Sequence, residues 1–461
     1  MRVVCIEPRN PRTHVFSAFR LPRLAMPLLG TILRNRGHEV RVFLEEWGEV
    51  DWRAVREADL VLISTITPTA ERAYALADRI RREWHKPVVL GGPHATFLPD
   101  EALEHADFVI RGEGEKTVVE LVEVLSDGGG FETVPGLSFR RGEERVHNPP
   151  RQGFVDLDEL PVPDFRLVPG VSPERMRIYP TMTSRGCPYG CVFCSVIAMF
   201  GRKYRYRSTE LVLEEISGIQ PGQHVFFYDD NFAAHPERTK ELLEGMIRQN
   251  FRGVWSSQVR IDVYRDREML DLMKRSRCFV VYIGLESVNP ETLKAFRKGI
   301  TFQEIEEGVR AFHRYGIRVH GMFVIGADTD TEETIRATLD FARKVHLDSA
   351  QFLVLTPIPG SKLFRQFEEA GRIFDRRWDL YDGHHVVFHP RNLSPLRLME
   401  LSYELHRRFY SLSEALRRLL RGDRFGAYIA FMGRKFVRRW RKENEEEFAY
   451  LSSLTAASAA S

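Results

Sequence analysis

The stretch Arg185–Ser195 reads Arg-Gly-Cys-Pro-Tyr-Gly-Cys-Val-Phe-Cys-Ser. It sets Cys187, Cys191 and Cys194 in a C-x3-C-x2-C array, and its glycines and proline favour a turning loop over a helix. Three thiolates this close in the chain can surround one iron–sulfur cluster. Because a [4Fe–4S] cluster ordinarily takes four cysteine ligands, a set of three leaves one iron open to a ligand from outside the protein. Zinc is the weaker alternative, since a structural zinc site needs four protein ligands and the nearest other cysteine, Cys278, is distant in the chain.

The composition is that of an ordinary globular protein. The 461 residues are enough for two or three domains, and 43% hydrophobic with 28% charged residues excludes a largely disordered chain. The net charge of +3 says almost nothing about partners. The cysteine pattern argues against disulfides, and the sequence shows neither a signal peptide nor an apolar run of membrane-spanning length. We therefore expect a cytoplasmic protein.

The cysteine array, with the aromatic Phe193 directly before its last member, resembles the motif of the radical S-adenosylmethionine (SAM) superfamily. The resemblance implies that the three cysteines hold a [4Fe–4S] cluster whose open iron chelates SAM, and that Phe193 lies at the SAM site. It also implies that SAM is cleaved to a 5'-deoxyadenosyl radical, which abstracts a hydrogen atom from an unactivated carbon. The cluster would be reduced by an external electron donor of the flavodoxin or ferredoxin type.

The first 135 residues alternate between strand and helix signals. Strands are predicted at Arg2–Ile6, Glu39–Phe43, Leu60–Ile63, Val88–Leu90 and Phe108–Arg111, and helices at Leu24–Arg36, Thr69–Arg82 and Glu115–Ser126. This alternation predicts a doubly wound, Rossmann-like parallel sheet, which binds ligands at the carboxyl ends of its strands. Those ends carry small residues, which either let a large flat ligand approach closely or simply form turns: Ser64, Thr65, Gly91, Gly92, Pro93, His94, Gly112, Glu113 and Gly114.

Two of these segments, Gly91-Gly-Pro-His94 and Gly112-Glu-Gly-Glu115, resemble the cobalamin-binding domain of cobalamin-dependent radical SAM enzymes. The resemblance implies a cobalamin site built from Ser64, Thr65, Gly91, Gly92, Pro93, His94 and Glu113. The Asp-x-His-x-x-Gly motif by which other cobalamin domains ligate cobalt from below is absent, so we expect no histidine ligand. The alternative is a degenerate domain that has lost the cofactor.

A hairpin over Gly136–Val146 and a proline-rich linker, together residues 136–178, are predicted to lead into a second α/β region. Strands are expected at Tyr179–Thr183, His224–Tyr228, Val254–Gln258, Phe279–Ile283, Val319–Val324 and Ala350–Leu355. Helices are expected at Thr209–Ile219, Pro236–Gln249, Arg267–Ser276, Phe302–Tyr315 and Thr331–Lys344. Residues 179–390 are thus predicted to form a partial (β/α)6 barrel, in which functional residues gather at the carboxyl ends of the strands.

Polar residues follow the predicted barrel strands: Asp229 and Asp230, then Arg260, then Glu286. SAM presents an ammonium, a carboxylate, a ribose diol and a sulfonium, so carboxylates with one arginine match its charges. Asp-Asp-Asn-Phe and Ile-Gly-Leu-Glu-Ser resemble SAM-contacting segments of cobalamin-linked radical SAM proteins. This resemblance implies that Asp230 holds the amino group and that Glu286 and Arg260 face the ribose and carboxylate, and it places Gly321–Asp330 along the adenine. The ordinary alternative for each residue is a loop salt bridge.

Two features near the carboxyl terminus have more than one interpretation. His384 and His385 could handle substrate or protons at the barrel mouth, but paired histidines are more often structural. Residues 391–461 are predicted to be a helical extension with a frayed tail from Thr455, and their basic helices carry aromatic residues. Packing on the barrel with a solvated face is the favoured explanation, and peripheral membrane contact is the alternative. No nucleic acid partner is expected.

Together these motifs predict a radical SAM enzyme that methylates an unactivated carbon of a lipid or other secondary metabolite, with one SAM methylating the corrinoid and a second supplying the radical. An oxidative cyclase or rearrangement enzyme would use the same cofactors without methyl transfer. A methylthiotransferase of transfer RNA would need a second cluster in the N-terminal domain, where Cys5 is the only cysteine. A corrinoid carrier or sensor with a vestigial barrel is the alternative from another class, and the intact cysteine triad speaks against it.

Overall fold

The computed structural model describes residues 1–12 and 21–460. These residues divide into two compact units, the first comprising 1–11, 21–188 and 195–226, and the second comprising 12, 189–194 and 227–460. This division differs from the four predicted segments, 1–135, 136–178, 179–390 and 391–461. The linker and the first barrel strand pack within the first unit, and the C-terminal helices pack on strands of the second.

The first unit contains a seven-stranded sheet in the order β2-β1-β3-β4-β5-β6-β7. Its strands are β1 Arg2–Glu7, β2 Glu39–Leu44, β3 Leu60–Ser64, β4 Val88–Gly91, β5 Phe108–Ile110, β6 Leu137–Arg141 and β7 Glu144–His147. The first five are parallel, which confirms the predicted sheet. The predicted hairpin is β6 and β7, but it is not part of a separate linker, because β6 pairs antiparallel with β5 and extends the sheet.

Six helices accompany this sheet: α1 Ala25–Arg34, α2 Trp52–Glu57, α3 Ala70–Trp84, α4 Pro93–Phe97, α5 Pro99–His105 and α6 Gly114–Asp127. Their apolar residues recur at helical spacing, as in α3, which buries Ala73, Leu76, Ala77 and Ile80. Side chains of α1 and α6 form one core cluster with strand residues such as Val42 and Leu62. The sheet therefore has a covered, apolar interior, and its strand ends carry the polar loops.

The proline-rich segment lies within the first unit and forms only short 3-10 turns at Leu157–Glu159, Phe165–Leu167 and Pro173–Arg175. It is tied down by Asp164, whose backbone N donates to Thr31 Oγ1 at 2.8 Å and whose carboxylate binds Arg34. Phe165 and Val168 are buried. The segment has no continuous regular element, as its prolines predict, but it is an integral layer of this unit.

The six strands expected for the barrel are present as β8 Ile178–Thr181, β11 His224–Phe227, β12 Val254–Val259, β13 Cys278–Glu286, β14 Arg318–Ile325 and β15 Ser349–Val354. Strands β12 to β15 are parallel neighbours in chain order within the second unit. Two short strands, β9 Ser184–Arg185 and β10 Arg205–Tyr206, pair antiparallel in the first unit. Strand β13 extends three residues beyond its predicted end and so carries Glu286 within the strand.

The helices of this region are α7 Val196–Phe200, α8 Thr209–Ile216, α9 Pro236–Arg248, α10 Arg267–Arg275, α11 Pro290–Ala295, α12 Phe302–Arg314, α13 Glu332–Lys344 and α14 Lys362–Glu369. Four more follow: α15 Pro395–Phe409, α16 Leu412–Leu420, α17 Arg424–Glu443 and α18 Glu445–Ala460. Helix α18 continues to Ala460, although a frayed tail was expected from Thr455. Ser461 lies outside the described residues.

Helix α15 covers the edge of strand β15. Ser402 Oγ donates to Phe352 O at 3.0 Å, Phe352 N donates to His406 Nε2 at 3.2 Å, and Tyr410 OH donates to Ala350 O at 2.7 Å. The spacing of four residues puts the three side chains on one face, so they can satisfy backbone groups that an edge strand leaves unpaired. The C-terminal helices are therefore part of the barrel unit.

Candidate functional site

The cysteine array forms a loop between β9 and α7. Gly186 has φ 88, and a Cβ there would lie 2.8 Å from Lys203 O, so the position before Cys187 requires glycine. Cys194 N donates to Cys191 O at 3.3 Å in a turn. The three motif cysteines are partly exposed and form no disulfide. Their thiolates are therefore accessible to an incoming cluster.

The other two cysteines differ in environment. Cys5 and Cys278 are buried; burial raises the pKa of Cys5 to about 12 and raises the pKa of Cys278 well above its ordinary value. Both remain protonated thiols and are unsuited to ligate iron. Among residues 1–12 and 21–460, no three histidine, cysteine or acidic side chains converge on a single metal ion. A [4Fe–4S] cluster does not need such convergence, because each cysteine binds a different iron.

A buried ion pair lies at the carboxyl end of β13. Lys298 Nζ donates to Glu286 Oε1 at 2.6 Å, and both side chains are about nine-tenths buried. Arg260 donates to the backbone O of Lys298 at 3.0 Å and to Asp262 at 3.2 Å. The guanidinium carbon of Arg260 lies 3.8 Å from the ring centroid of Tyr189. Two of the predicted SAM residues, Arg260 and Glu286, thus meet at the same lysine.

The backbone around Glu286 is adapted to this pair. Glu286 has φ 61, a left-handed conformation that costs a non-glycine residue about 1–2 kcal/mol, and it follows an irregularity in the pairing of β13 with β14. A Cβ at Gly284 would lie 2.3 Å from Glu286 Oε1 and 2.8 Å from Lys298 Nζ. The glycine and the strained backbone therefore make room for a carboxylate held in one place.

The segment Phe296–Lys298, which follows α11, is a part of the site that the sequence did not indicate. Its Phe296 ring packs edge-on against Phe193, with the centroids 5.1 Å apart. Phe193 and Tyr189 of the cysteine loop therefore contact the same region that Lys298 organises. Helix α11 was not predicted, and a lysine twelve residues after a glutamate is no recognisable motif, so the signal was absent.

Asp229, Asp230 and Asn231 form the loop after β11. Asp229 is fully buried and Asp230 partly exposed. Asn231 is buried, and its Oδ1 has no hydrogen-bond partner. The next residue, Phe232, donates its backbone N to Gln258 O at 2.9 Å, which fixes the loop beside β12. An unsatisfied buried acceptor is costly unless a ligand donor supplies the hydrogen bond, so this loop suits an ammonium group.

The segment after β14 is ordered by Asp330. Its Oδ2 accepts from the backbone N of Gly326 at 2.9 Å and of Ala327 at 3.0 Å, and its Oδ1 accepts from Thr292 at 3.0 Å. Burial raises the pKa of Asp330 despite these hydrogen bonds. The turn Gly326–Asp330 is thus hydrogen-bonded to a single carboxylate at the end of a barrel strand.

In the first unit, the ends of β3 and β4 are hydrogen-bonded together. Thr65 Oγ1 donates to Gly91 O at 2.8 Å, and His94 N donates to Thr65 O at 3.3 Å. Gly92 has φ 94, and a Cβ there would lie 2.5 Å from Thr65 O. Ser64 is buried, and its Oγ has no hydrogen-bond partner. Gly91, Gly92 and the adjoining Pro93 are partly exposed, and we call this surface of small residues the glycine cradle.

Two of the predicted cobalamin residues make protein contacts instead of facing outward. His94 is fully buried, with Nδ1 3.4 Å from Thr67 Oγ1 and Nε2 3.4 Å from Glu101 Oε1. Glu113 binds Arg205 at 2.8 Å and Arg185 at 2.9 Å. Burial would raise the pKa of Glu113, but the two arginines lower it below its ordinary value.

His384 and His385 are buried beside the C-terminal helices. His385 Nδ1 lies 3.0 Å from Asp382 Oδ2, and Nε2 lies 2.7 Å from Asn444 Oδ1. His384 packs against the rings of His406 and Trp440. Burial alone would lower the pKa of His385, but the charge of Asp382 raises it above its ordinary value. Both nitrogens of His385 are used in packing, which supports the structural interpretation.

Family models match both halves of the chain: a "Radical SAM superfamily" model over residues 181–342 and a "B12 binding domain" model over residues 17–122. The chain is 32% identical to an uncharacterised methyltransferase of Pyrococcus horikoshii, covering 77% of this chain and 79% of the relative. It is 31% identical to bacteriochlorophyllide d C-12(1)-methyltransferase of Chlorobaculum tepidum, covering 86% and 85%. It is 28% identical to the hopanoid C-3 methylase of Methylococcus capsulatus, covering 92% and 85%.

The fold also matches that of a solved structure, the radical SAM methyltransferase TsrM of Kitasatospora setae with cobalamin and a [4Fe–4S] cluster bound. The TM-score is 0.66 at 22% identity, and the match covers 80% of this chain and 74% of TsrM. The predicted N-terminal doubly wound domain and radical SAM barrel are thereby confirmed.

The barrel strands and the cysteine array define a radical SAM enzyme. With its B12-binding domain, the chain belongs to the cobalamin-dependent radical SAM methyltransferases, whose cofactors are a [4Fe–4S] cluster, SAM and cobalamin. The residues present fit all three groups. The accessible thiols suit the cluster, the unsatisfied Asn231 Oδ1 and the buried charges suit SAM, and the unpaired Ser64 hydroxyl beside the partly exposed Gly91 and Gly92 suits cobalamin.

The cysteines give the first testable prediction. Cys191→Ala removes one of three thiolates, so we expect the anaerobically reconstituted variant to lose most of the roughly four irons and the visible absorption that the wild type holds. Cys278→Ala is the matched control and should keep full iron, since that thiol is buried and protonated. A Cys191→Ala protein with wild-type iron content would contradict the assignment.

The ion pair of Lys298 gives the second testable prediction. Lys298→Met leaves Glu286 buried without its cation, so we expect SAM binding to the reconstituted protein, measured by equilibrium dialysis, to weaken about 30-fold, or ~2 kcal/mol. Lys298→Arg should restore most of the affinity. Lys294→Met, at an exposed position of α11, is the control and should bind SAM as the wild type does. Equal affinities of the Lys298→Met and Lys294→Met variants would show that the ion pair does not serve SAM.

The titration of His385 gives the third testable prediction. Its folded pKa is raised, so its charged form stabilises the folded state below about pH 6.5, and this contribution disappears as pH rises through the folded pKa. We expect His385→Gln to lower the thermal unfolding midpoint by several degrees at pH 6 and by clearly less at pH 9. His85→Gln, at an exposed position, should change little at either pH. A deficit that is constant across this range would refute a charged His385.

Proposed function

We propose that this enzyme transfers a methyl group to an unactivated carbon of an apolar small molecule, either a lipid or a related polycyclic metabolite. The observation that carries the proposal is the combination, in one chain, of the cysteine array with the Arg260–Lys298–Glu286 charges and the glycine cradle after β4. The named relatives act on bacteriochlorophyllide and hopanoid carbon atoms, and both substrates are built on large ring systems. The substrate class proposed here follows that shared chemistry.

The site residues have separate roles in this proposal. The Arg260 guanidinium pairs with the carboxylate of SAM, and the Asp230 carboxylate with Asn231 Oδ1 accepts hydrogen bonds from its ammonium. Glu286 accepts from the ribose hydroxyls, and the hydrogen bond from Lys298 holds the Glu286 side chain in place. The bound cofactors supply the radical and the methyl group. Phe193 and Phe296 form an apolar wall that keeps water from the reacting atoms.

In the first unit, we propose that Ser64 donates its hydroxyl to a polar edge of cobalamin, while Gly91, Gly92 and Pro93 let the corrin ring approach the backbone. Thr65 and His94 hold the two loops together from beneath, since both are fully buried. Glu113 supports the adjacent loop through Arg185 and Arg205. The cobalamin site is then made of one ligand-facing hydroxyl, one backbone surface and supporting residues behind them.

The enzyme needs an electron donor, which we propose to be a flavodoxin or ferredoxin. A reducing compartment is required for the cluster, so we propose that the protein works in the cytoplasm, in peripheral contact with the membrane that holds its substrate. None of the helices in residues 1–12 and 21–460 has the length and apolar character to cross a bilayer.

The test is an anaerobic turnover assay. We expect the reconstituted protein with hydroxocobalamin, SAM and reductant to form 5'-deoxyadenosine, S-adenosylhomocysteine and the absorption spectrum of methylcobalamin, and SAM carrying a deuterated methyl group to label an apolar acceptor from lipid extracts. Cys191→Ala should abolish 5'-deoxyadenosine formation. If 5'-deoxyadenosine appears without any methylated corrinoid, methyl transfer is refuted and an oxidative cyclase with the same cofactors takes its place.

A further inference from the structure

We infer that the α16–α17 hairpin is a docking surface for an anionic lipid membrane. The hairpin surface is defined by its exposed residues, whose large apolar members are 38 to 80% exposed. They are Leu412, Leu416, Leu419, Leu420, Phe425, Tyr428 and Phe431, with the basic residues Arg417, Arg421, Arg424, Lys435, Arg438, Arg439 and Lys442. Apolar patches of this kind are rare on monomeric proteins and mark interaction sites.

Helix α16 buries charged side chains and exposes apolar ones, which is the reverse of an ordinary packed helix. Its buried side chains are Glu414 and Arg418, and Arg418 donates to Leu347 O and Asp348 O at 2.7 Å each and to Glu414 at 3.1 Å. Its leucines point outward, and Leu420 is 80% exposed. A helix that only packs on the barrel with a solvated face would bury its leucines and expose its charges. Helix α16 does pack on its unit, through Arg418, but within residues 1–12 and 21–460 its leucines stay largely exposed, so its apolar face is available to a partner.

Helix α17 continues this surface. It buries Gly426, Ala430, Val437 and Trp440 and is therefore packed on its own unit through one face. Most of its exposed residues lie on the opposite face and change in character along the helix, from Tyr428 and Phe431 to Lys435, Arg438, Arg439 and Lys442. Phe425 lies at the side of the helix, where it packs against Phe279 and Arg318 and is still 38% exposed. Aromatic residues at one end and cations at the other match the interfacial and headgroup layers of a membrane surface.

The net charge of the hairpin indicates which kind of partner fits its surface. Residues 411–443 contain ten arginines and lysines and three acidic residues, a net charge of +7 in a chain whose total is +3. Anionic headgroups attract such a segment, whereas a second copy of the same surface would bring like charges together. Leucines do not stack on bases, so a nucleic acid would leave the most exposed part of the surface unused. An anionic membrane is the partner that satisfies both the leucines and the cations.

The inference rests on the proposed function in one respect, the reason for docking: an enzyme that acts on an apolar substrate gains access to it by residing on the membrane. The docking itself depends on residues outside the candidate SAM and cobalamin sites. Vesicle binding and turnover can therefore fail separately, and each result bears on its own proposal.

The test is sedimentation of the full-length holoenzyme with vesicles of phosphatidylcholine alone or with about one third phosphatidylglycerol. We expect binding to the anionic vesicles at least tenfold tighter than to the neutral ones, and weaker binding as salt is raised. The double variant Leu416→Asp with Leu420→Asp should lose at least tenfold in affinity. Val162→Asp, an exposed apolar position of the first unit, is the matched control and should bind as the wild type does.

A second variant separates charge from apolar contact: Arg438→Glu with Lys442→Glu should also weaken binding to anionic vesicles while iron content and the thermal unfolding midpoint stay unchanged. Equal binding by the leucine variant and the wild type, or no binding to either vesicle, would overturn the inference. So would a wild-type dimer in light scattering that the leucine variant abolishes, because the surface would then join two copies of the chain.

Discussion

The ion pair of Lys298 with Glu286 is the interaction on which the second unit's candidate site depends. Two charges this deeply buried are stable only as partners, so each fixes the position of the other. The backbone carbonyl of Lys298 also accepts from Arg260, and Arg260 stacks on Tyr189. One lysine thereby holds a carboxylate at the end of β13 and an arginine after β12, while the neighbouring Phe296 contacts the cysteine loop through Phe193.

In the first unit, buried ion pairs also hold a loop in position. Arg185 binds Glu113 and Glu115, and Arg205 shares Glu113. Because Arg185 precedes the cysteine array by two residues, these pairs hold the start of the cluster loop against the turn after β5. The carboxylates of the Gly-Glu-Gly-Glu segment are therefore neutralised within the protein. This arrangement accounts for a glutamate in a predicted cofactor loop without assigning it a contact with the cofactor.

The C-terminal helices use different residues to pack on the barrel unit and to form the exposed hairpin surface. Helix α15 uses Ser402, His406 and Tyr410 to cover the edge of β15, and His385 with Asn444 joins the following helices to the barrel unit. These contacts use polar and aromatic side chains on the helix faces that pack against the barrel unit. Helix α16 is anchored by Arg418 and Glu414 instead of by its leucines, so the apolar surface that would usually drive folding stays available for a partner.

The sequence by itself determined the α/β architecture and the cysteine set, because both depend on local pattern: alternating strand and helix signals, and three cysteines within eight residues. The cofactor class came from the resemblance of its motifs to those of a known family. The tertiary structure decided everything that joins residues distant in the chain. It found Lys298 beside Glu286, assigned His94, His385 and Glu113 to packing, and placed the leucines of α16 outward. A helical periodicity shows which residues share a face, but the direction of that face depends on neighbours that only the folded chain supplies.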